Sequence, residues 1–501
     1  MLTLTRPRAP RPEPVDHHRW MPTLMSSCVV VVVAMVAAIN LSLPQLARSE
    51  LHPSSTQLLW IVDAYILVFG CLLIPAGGLG DRVGRKGVLL TGLAVFAGGC
   101  FVAAAAPNVT TLLAGRVISG LGAALVMPAT LSLLLQVTPP ERRGGAIATW
   151  TAATGAAGAL GNLGGGLILQ WLPWQGLFLV VAPLAVALGV LVAVISPRGL
   201  RENATTDLLG TGLLTGSVFA FLFAIIEGPE NGWLSLLVVS SFGSAAALLI
   251  TFVVYATKAE HPLLDPRMFR VRALRTGSVG VFAVFFGLFA LFFVNSQYLQ
   301  YAKGYAPLAT GVAILPLPIA MFAASKRSMK LVTTFGARQV VGSGMLLLGA
   351  GILALSFADA ATPYLPYALA LTAVAVGMGL SVPKLSTDIV TSLPATRSGL
   401  GSGLNSAVRE IGAAVGIAVV GTVLSSQFAQ HLPGDLRGGH ASPAQTLRAA
   451  SDLGAQVHAQ AVRAFTDAMA TGFRVIGLAV LVAAAIVLHG LRTRAEGAAS
   501  K

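Results

Sequence analysis

Charge is scarce in this chain. Asp, Glu, Lys and Arg make up 10% of its 501 residues, and the 19 acids face 33 Lys and Arg. Soluble domains carry about a quarter charged residues, so a water-facing globule is excluded. With 55% hydrophobic residues and a mean hydropathy of +0.79, the chain belongs in a bilayer. Cysteine is rarer still. Cys28, Cys71 and Cys100 all fall within apolar runs, which leaves no disulfide framework and no CxxC metal site, and does not fix a redox compartment. Histidine is sparse in the apolar runs, which argues against a histidine relay. About 14 spans of about 21 residues take up about 60% of the chain, leaving no room for a catalytic domain. No triad, metal cluster or phosphate loop occurs between them, so the chain reads as no enzyme, with no catalytic residue, no metal and no bound cofactor.

What the chain has is long apolar stretches. They lie near 24–46, 56–77, 88–106, 110–134, 146–170 and 174–196, then near 208–227 and 234–256, then near 275–301, 308–330, 339–359, 364–386, 400–425 and 468–491. The pattern is six, two, six. Arg82, Arg85, Lys86, Arg142, Arg143, Arg198, Arg201, Arg267, Arg270, Arg272, Arg338 and Arg397 sit in alternate loops on the side of both termini, which the positive-inside rule makes cytoplasmic. This topology, rather than nucleic-acid binding, accounts for the net charge of +14. Arg6, Arg8, Arg11 and Arg19 precede a run too long for a cleaved signal, so an uncleaved tail is expected.

The expected organisation is a cytoplasmic tail over 1–23, a six-helix bundle over 24–196, an inserted pair over 208–256 and a cytoplasmic linker over 257–274. A second six-helix bundle over 275–492 carries an extracytoplasmic hairpin or helix over 427–466, and a short tail covers 493–501. Two similar sets suggest an all-α transporter whose halves rock about a midplane site.

Three motifs carry chemistry. In the short turn between spans 2 and 3, Gly77-Gly78-Leu79-Gly80-Asp81-Arg82-Val83-Gly84-Arg85-Lys86 combines glycines for a tight turn with an acid that can cap a helix or pair with a cation. It reads as a gate latch or, more simply, as a positive-inside turn with a capping Asp. In span 4, Arg116 opens Arg116-Val117-Ile118-Ser119-Gly120-Leu121-Gly122. A mid-span Arg costs roughly 2.5 to 3.5 kcal/mol, so it faces a cavity or an acid, or else snorkels outward. Span 5 holds Gly155, Gly158, Gly161, Gly164, Gly165 and Gly166, with Asn162 after Gly161.

In this order the three resemble motifs A, B and C of the major facilitator superfamily, and the layout resembles its fourteen-spanner drug:proton antiporter-2 family of QacA-type exporters. Leu43-Pro44-Gln45-Leu46, Trp60-Ile61-Val62-Asp63-Ala64-Tyr65, Pro262-Leu263-Leu264-Asp265, Gly304-Tyr305-Ala306-Pro307 and Asn405 with Arg409 and Gly412 extend the resemblance over nearly the whole chain. One departure is that Asn162 stands where motif C usually has proline, so no proline kink is expected there. The second-half counterpart of motif A, Leu331 to Arg338, has Thr333 in place of the acid, and its gate should be weaker.

Proton coupling needs a protonatable group in a cavity. Asp63 in span 2 ranks first and Glu410, beside Arg409 in span 13, second, and Arg116 is counted with them as a proton-coupling candidate. Glu227 and Asp388 lie near span ends, where exposure or a local salt bridge is the simpler reading. By the resemblance, acids of spans 1, 10 and 13 are replaced by Met35, Met321, and Asn405 with Ser406. A cavity lined by Met35, Asn40, Trp60, Tyr65, Gln297, Met321, Asn405 and Arg409 favours a neutral, monocationic or anionic amphiphile over a dication. Alternatively Asn40, Gln297 and Asn295 supply recognition and the cargo's charge is not legible. The resemblance implies a monomeric, proton-motive-force-driven drug exporter of a bacterial cytoplasmic membrane, with an amphiphile and H⁺ as partners. A dedicated exporter for one secondary metabolite, such as a β-lactam or puromycin-like antibiotic, is the alternative, and an uncoupled channel or a membrane sensor is the rival of another class.

Overall fold

The computed structural model describes residues 20–197, 207–432 and 443–491. Arg198, Arg201, most of the N-terminal tail and the C-terminal tail lie outside them. Among the described residues there is no strand, and fourteen helical segments are long and apolar enough to cross a membrane. The first bundle comprises α1 (Met21–Ala47), α2 (Ser55–Val83), α3 (Arg85–Ala104), α4 (Val109–Val137), α5 (Arg143–Trp171) and α6 (Gln175–Ile195). An inserted pair follows, α7 (Leu208–Asn231) and α8 (Leu236–Ala256). The second bundle comprises α9 (Arg272–Gln297), α10 (Pro307–Ile314), α11 (Pro316–Phe335), α12 (Ala337–Leu355), α13 (Tyr364–Thr391), α14 (Ser398–His431), the short α15 (Pro443–Leu453) and α16 (Ala455–Gly490).

Local chemistry sets several boundaries. Ser54 and Gln57 form a reciprocal capping box that starts α2, and the side chains of Asn108, Asp207 and Ser235 cap α4, α7 and α8. Pro316, which has no N–H to donate, divides one span into α10 and α11. Gly84 has φ +106 and Gly336 φ +94, a backbone region that side chains disfavour, and each separates two helices at equivalent places in the two halves.

Two expectations need correction. Gly77 to Val83 form the last turns of α2 rather than a turn between spans, because only Gly84 breaks the helix. The last span also begins earlier than residue 468. α16 starts at Ala455, and its added turns are held by Phe465, which packs edge-on against Phe428 (6.3 Å) and Tyr301 (5.9 Å).

Within the first half α1 lies on α5, and α4 on α2 and α3; in the second, α9 lies on α14, and α13 on α11 and α12. Glycine permits the closest of these approaches. A Cβ on Gly161 of α5 would lie 2.2 Å from the Ala34 carbonyl oxygen of α1, whereas Gly158 has nothing within 4 Å. Gly161→Val is therefore expected to lower the melting temperature in detergent by several degrees or abolish insertion, with Gly158→Ala close to wild type. Fluorescence-detected thermal unfolding measures both.

Candidate functional site

The halves lock together at the end of the bundle that carries the basic loops, here termed the basic rim. Asp81 and Arg85 are 3% and 2% exposed. Arg85 donates from Nε and Nη2 to Asp81 Oδ1 at 3.1 and 2.9 Å. The same carboxylate accepts the first backbone N–H groups of α14, from Gly399 at 2.8 Å and Leu400 at 2.9 Å. An anion at a helix N-terminus meets both free donors and the positive end of the dipole. Arg85 also reaches the Thr396 carbonyl at 3.3 Å. Bare backbone allows this proximity: a Cβ on Gly77 would sit 2.2 Å from the Gly399 carbonyl oxygen, and one on Gly403 2.4 Å from that of Leu73. Lys86 ties the end of α6, donating to Ala193 (2.8 Å) and Ser196 (2.5 Å) carbonyls. Arg82 is half-buried at the same rim.

Deeper in the bundle lie two fully buried guanidinium groups. Arg116 is 0% exposed, donates from Nε to the Ile61 carbonyl at 2.7 Å and stacks 4.5 Å from the Tyr65 ring centroid. It points inward and does not snorkel. Asp63 is half-buried on the same helix as Ile61 and acts electrostatically on Arg116. Tyr65 donates its hydroxyl proton to the Val32 carbonyl at 2.8 Å. In the second half Arg409 lies between two rings, 4.2 Å from Phe285 and 5.2 Å from Trp150 of the opposite half. Trp150 is held by donating to Thr130 Oγ1 at 3.2 Å. Glu410, half-buried, acts electrostatically on Arg409 and, across the interface, on Tyr65. Among the described residues, neither amide atom of fully buried Asn405 has a hydrogen-bond partner, nor do Nη1 and Nη2 of Arg116 or Nε and Nη1 of Arg409.

The family model described as Major Facilitator Superfamily matches residues 25–417. The chain belongs to the major facilitator superfamily. It is 30% identical to a tetracenomycin C resistance and export protein of Streptomyces glaucescens, over 93% of this chain and 91% of that protein. It is 29% identical to a multidrug efflux pump of Mycolicibacterium smegmatis, over 93% and 95%. Among solved structures it shares the fold of a human organic anion transporter, with a TM-score of 0.60 at 15% identity over 93% of this chain and 100% of that one.

Against this major facilitator frame, the expected site residues separate into two groups. Asp81 and Arg85 meet the second half at the rim, Arg409 with Glu410 beside it meets Trp150 across the interface, Arg116 and Tyr65 lie together inside the first half, and Asn405 is buried in α14. Others stand elsewhere. Trp60 turns to the inserted pair, 5.8 Å from Phe223, rather than to the cleft. Asn40 and Gln297 spend their amide protons on their own helices, on Val36 and Phe293 carbonyls at 2.9 and 3.1 Å. Met35 and Met321 are buried, and Met321 fills the hollow at Gly155 of the opposite half, so it plugs the interface instead of lining a free wall. α5 contains no proline and is one continuous helix. Gly161 and Gly165 meet α1, whereas Gly158 is open and Asn162 and Gly166 are exposed. The interface is thus filled at Gly144 by Met329 and at Gly155 by Met321, and farther along α5 Leu163 lies against Gly311 of α10.

Asp388 is paired with Lys384 and Glu227 accepts from Asn231, so both acids are engaged locally. Thr333, exposed, donates to the Lys330 carbonyl at 2.7 Å and supplies no anion to the first half. The partner that sequence reasoning missed is the N-terminus of α14; the run Ser398-Gly399-Leu400-Gly401-Ser402-Gly403 was its available signal. Asp81→Asn is expected to leave the protein inserted but to open the rim. A cysteine placed at Ser402, which is buried with the rim closed, should react with a membrane-impermeant maleimide at least threefold faster in that background than with Asp81 intact, measured in inside-out vesicles.

Proposed function

We propose that this protein exports amphiphilic drugs or antibiotics across a bacterial cytoplasmic membrane in exchange for protons, with both termini and the basic rim cytoplasmic. It works as a monomer with the proton motive force as its energy source. In this state Asp81 closes the cytoplasmic side. The observation that carries the reading is that two acids inside spans, Asp63 and Glu410, each act electrostatically on a fully buried arginine, Arg116 and Arg409, and that Arg409 packs on Trp150 of the opposite half. A carboxylate there balances its arginine, and a proton on it leaves that charge uncompensated in low dielectric. Protonation therefore changes the electrostatic cost of each arrangement of the halves, which is what coupling requires. One elementary charge crossing 100 mV supplies roughly 2.3 kcal/mol.

Buried polar groups deep in the spans, such as Asn405, Ser406, Arg116 and Arg409, are amides, hydroxyls and arginines more than acids, which favours neutral or singly charged amphiphiles over dications. A dedicated exporter of one secondary metabolite is the second reading, supported by relatives named for resistance to single antibiotics. A pore is disfavoured by the interlocked rim. Glu410→Gln and Asp63→Asn are each expected to lower pH-gradient-driven efflux at least tenfold while substrate-for-substrate exchange persists. Accumulation assays in a pump-deficient host and counterflow in proteoliposomes measure the two; undiminished gradient-driven efflux in both variants contradicts the proposal.

A further inference from the structure

The inserted pair is attached to different halves at its two ends. At the basic rim Asp207, 7% exposed, accepts from Gly210 N–H (2.8 Å), from the Tyr255 hydroxyl of α8 (2.7 Å) and from Leu263 N–H in the following linker (2.8 Å). Leu263 lies against α2, where a Cβ on Gly78 would come within 2.8 Å of its Cδ1. Farther along α7, Leu222 occupies the hollow at Gly70 and Phe223 meets Trp60. α7, α8 and the linker therefore bear mainly on α2, the helix whose last turns carry Asp81, while α7 also runs against α14. At the opposite rim Trp233, in the turn between α7 and α8, donates its Nε1 proton to Thr422 Oγ1 of α14 at 3.0 Å. Thr422 is 23 residues beyond Gly399 (422 − 399), about 35 Å along the helix. The donor is held in place independently of that bond, since the Trp233 ring stacks on Phe242 at 6.4 Å and fills the hollow at Gly228.

We propose that Trp233 is a positioning residue of the transport cycle. Carried by the first half, the inserted pair latches the outer end of the second half through Thr422 only while the basic rim is closed. The inference rests on the alternating-access reading above. When α2 and α14 part at Asp81, α7 moves with α2, and the far end of α14 shifts relative to Trp233. A hydrogen bond does not survive a displacement of a few ångströms, so it stabilises one state and not the other. A neutral hydrogen bond of ordinary strength then biases the two states by roughly two- to tenfold.

The test uses the full chain in lipid nanodiscs, spin-labelled across the basic rim at Glu141→Cys and Thr333→Cys or across the opposite rim at Ala105→Cys and Ala361→Cys. These four positions are exposed, whereas the native Cys28, Cys71 and Cys100 are buried. Pulsed-dipolar distances at pH 5 and pH 8 give the populations of the two states. Trp233→Phe, which keeps the ring, and Thr422→Val, which keeps the shape, should each raise the rim-open population two- to tenfold, the double variant no further than either, with unchanged melting temperature. Wild-type populations in both single variants, or additive effects in the double, overturn the latch but leave alternating access intact. A single distance at each rim in the wild type at both pH values overturns alternating access and the latch with it.

Discussion

The Asp81 carboxylate holds this arrangement together, because it is shared between halves that otherwise meet through methionines, rings and bare glycine backbone. Its near partner, Arg85, belongs to its own half. Its far partners are two backbone N–H groups of α14, which can be satisfied only when that helix end abuts the rim. A buried anion separated from such donors is strongly disfavoured. The contact is therefore all or none, the property a gate needs. The glycines on both sides are its precondition, since a single methyl at Gly77 or Gly399 would hold the two helices apart.

The two halves repeat the layout but not the chemistry. Gly84 and Gly336 break equivalent helices with the same backbone conformation, yet the residue three before the glycine is Asp81, buried against α14, in one and Thr333, exposed and bonded to its own helix, in the other. Electrostatic closure resides on one side, while the second half meets α5 through Met329 and Met321, whose flexible side chains fill glycine hollows without specifying a charge. The inserted pair adds a further asymmetry, since it covers α2 and reaches α14 but leaves the α5 and α11 side uncovered. Away from the rim, Arg116 and Arg409 are each steadied by aromatic faces, which lower the cost of a guanidinium in apolar surroundings without neutralising it.

Much of the fold was legible in the amino acids themselves. The six, two, six pattern follows from hydropathy because a bilayer leaves so few spanning structures. Arg116 could be placed as inward or snorkelling but not decided, since the choice depends on Tyr65 and the Ile61 carbonyl, 55 residues away. Trp60 and Tyr65 share one predicted span, and only the placement of α7 sends Trp60 outward. That Asn40 and Gln297 each give an amide proton to their own helix is not visible from chain position, which cannot tell a free amide from a bonded one. The rim partner escaped notice because backbone N–H groups have no residue signature; only the glycine-rich start of α14 hinted at them.

The central claim, that the Asp81 carboxylate bonded to the start of α14 is the gate, is tested most directly by hydrogen exchange at the Gly399 and Leu400 amides of the unmodified protein in liposomes. The account predicts both amides protected while the rim is closed, and both losing protection together when an imposed pH gradient drives turnover. Fast exchange at both under every condition, or protection that persists through turnover, would contradict it.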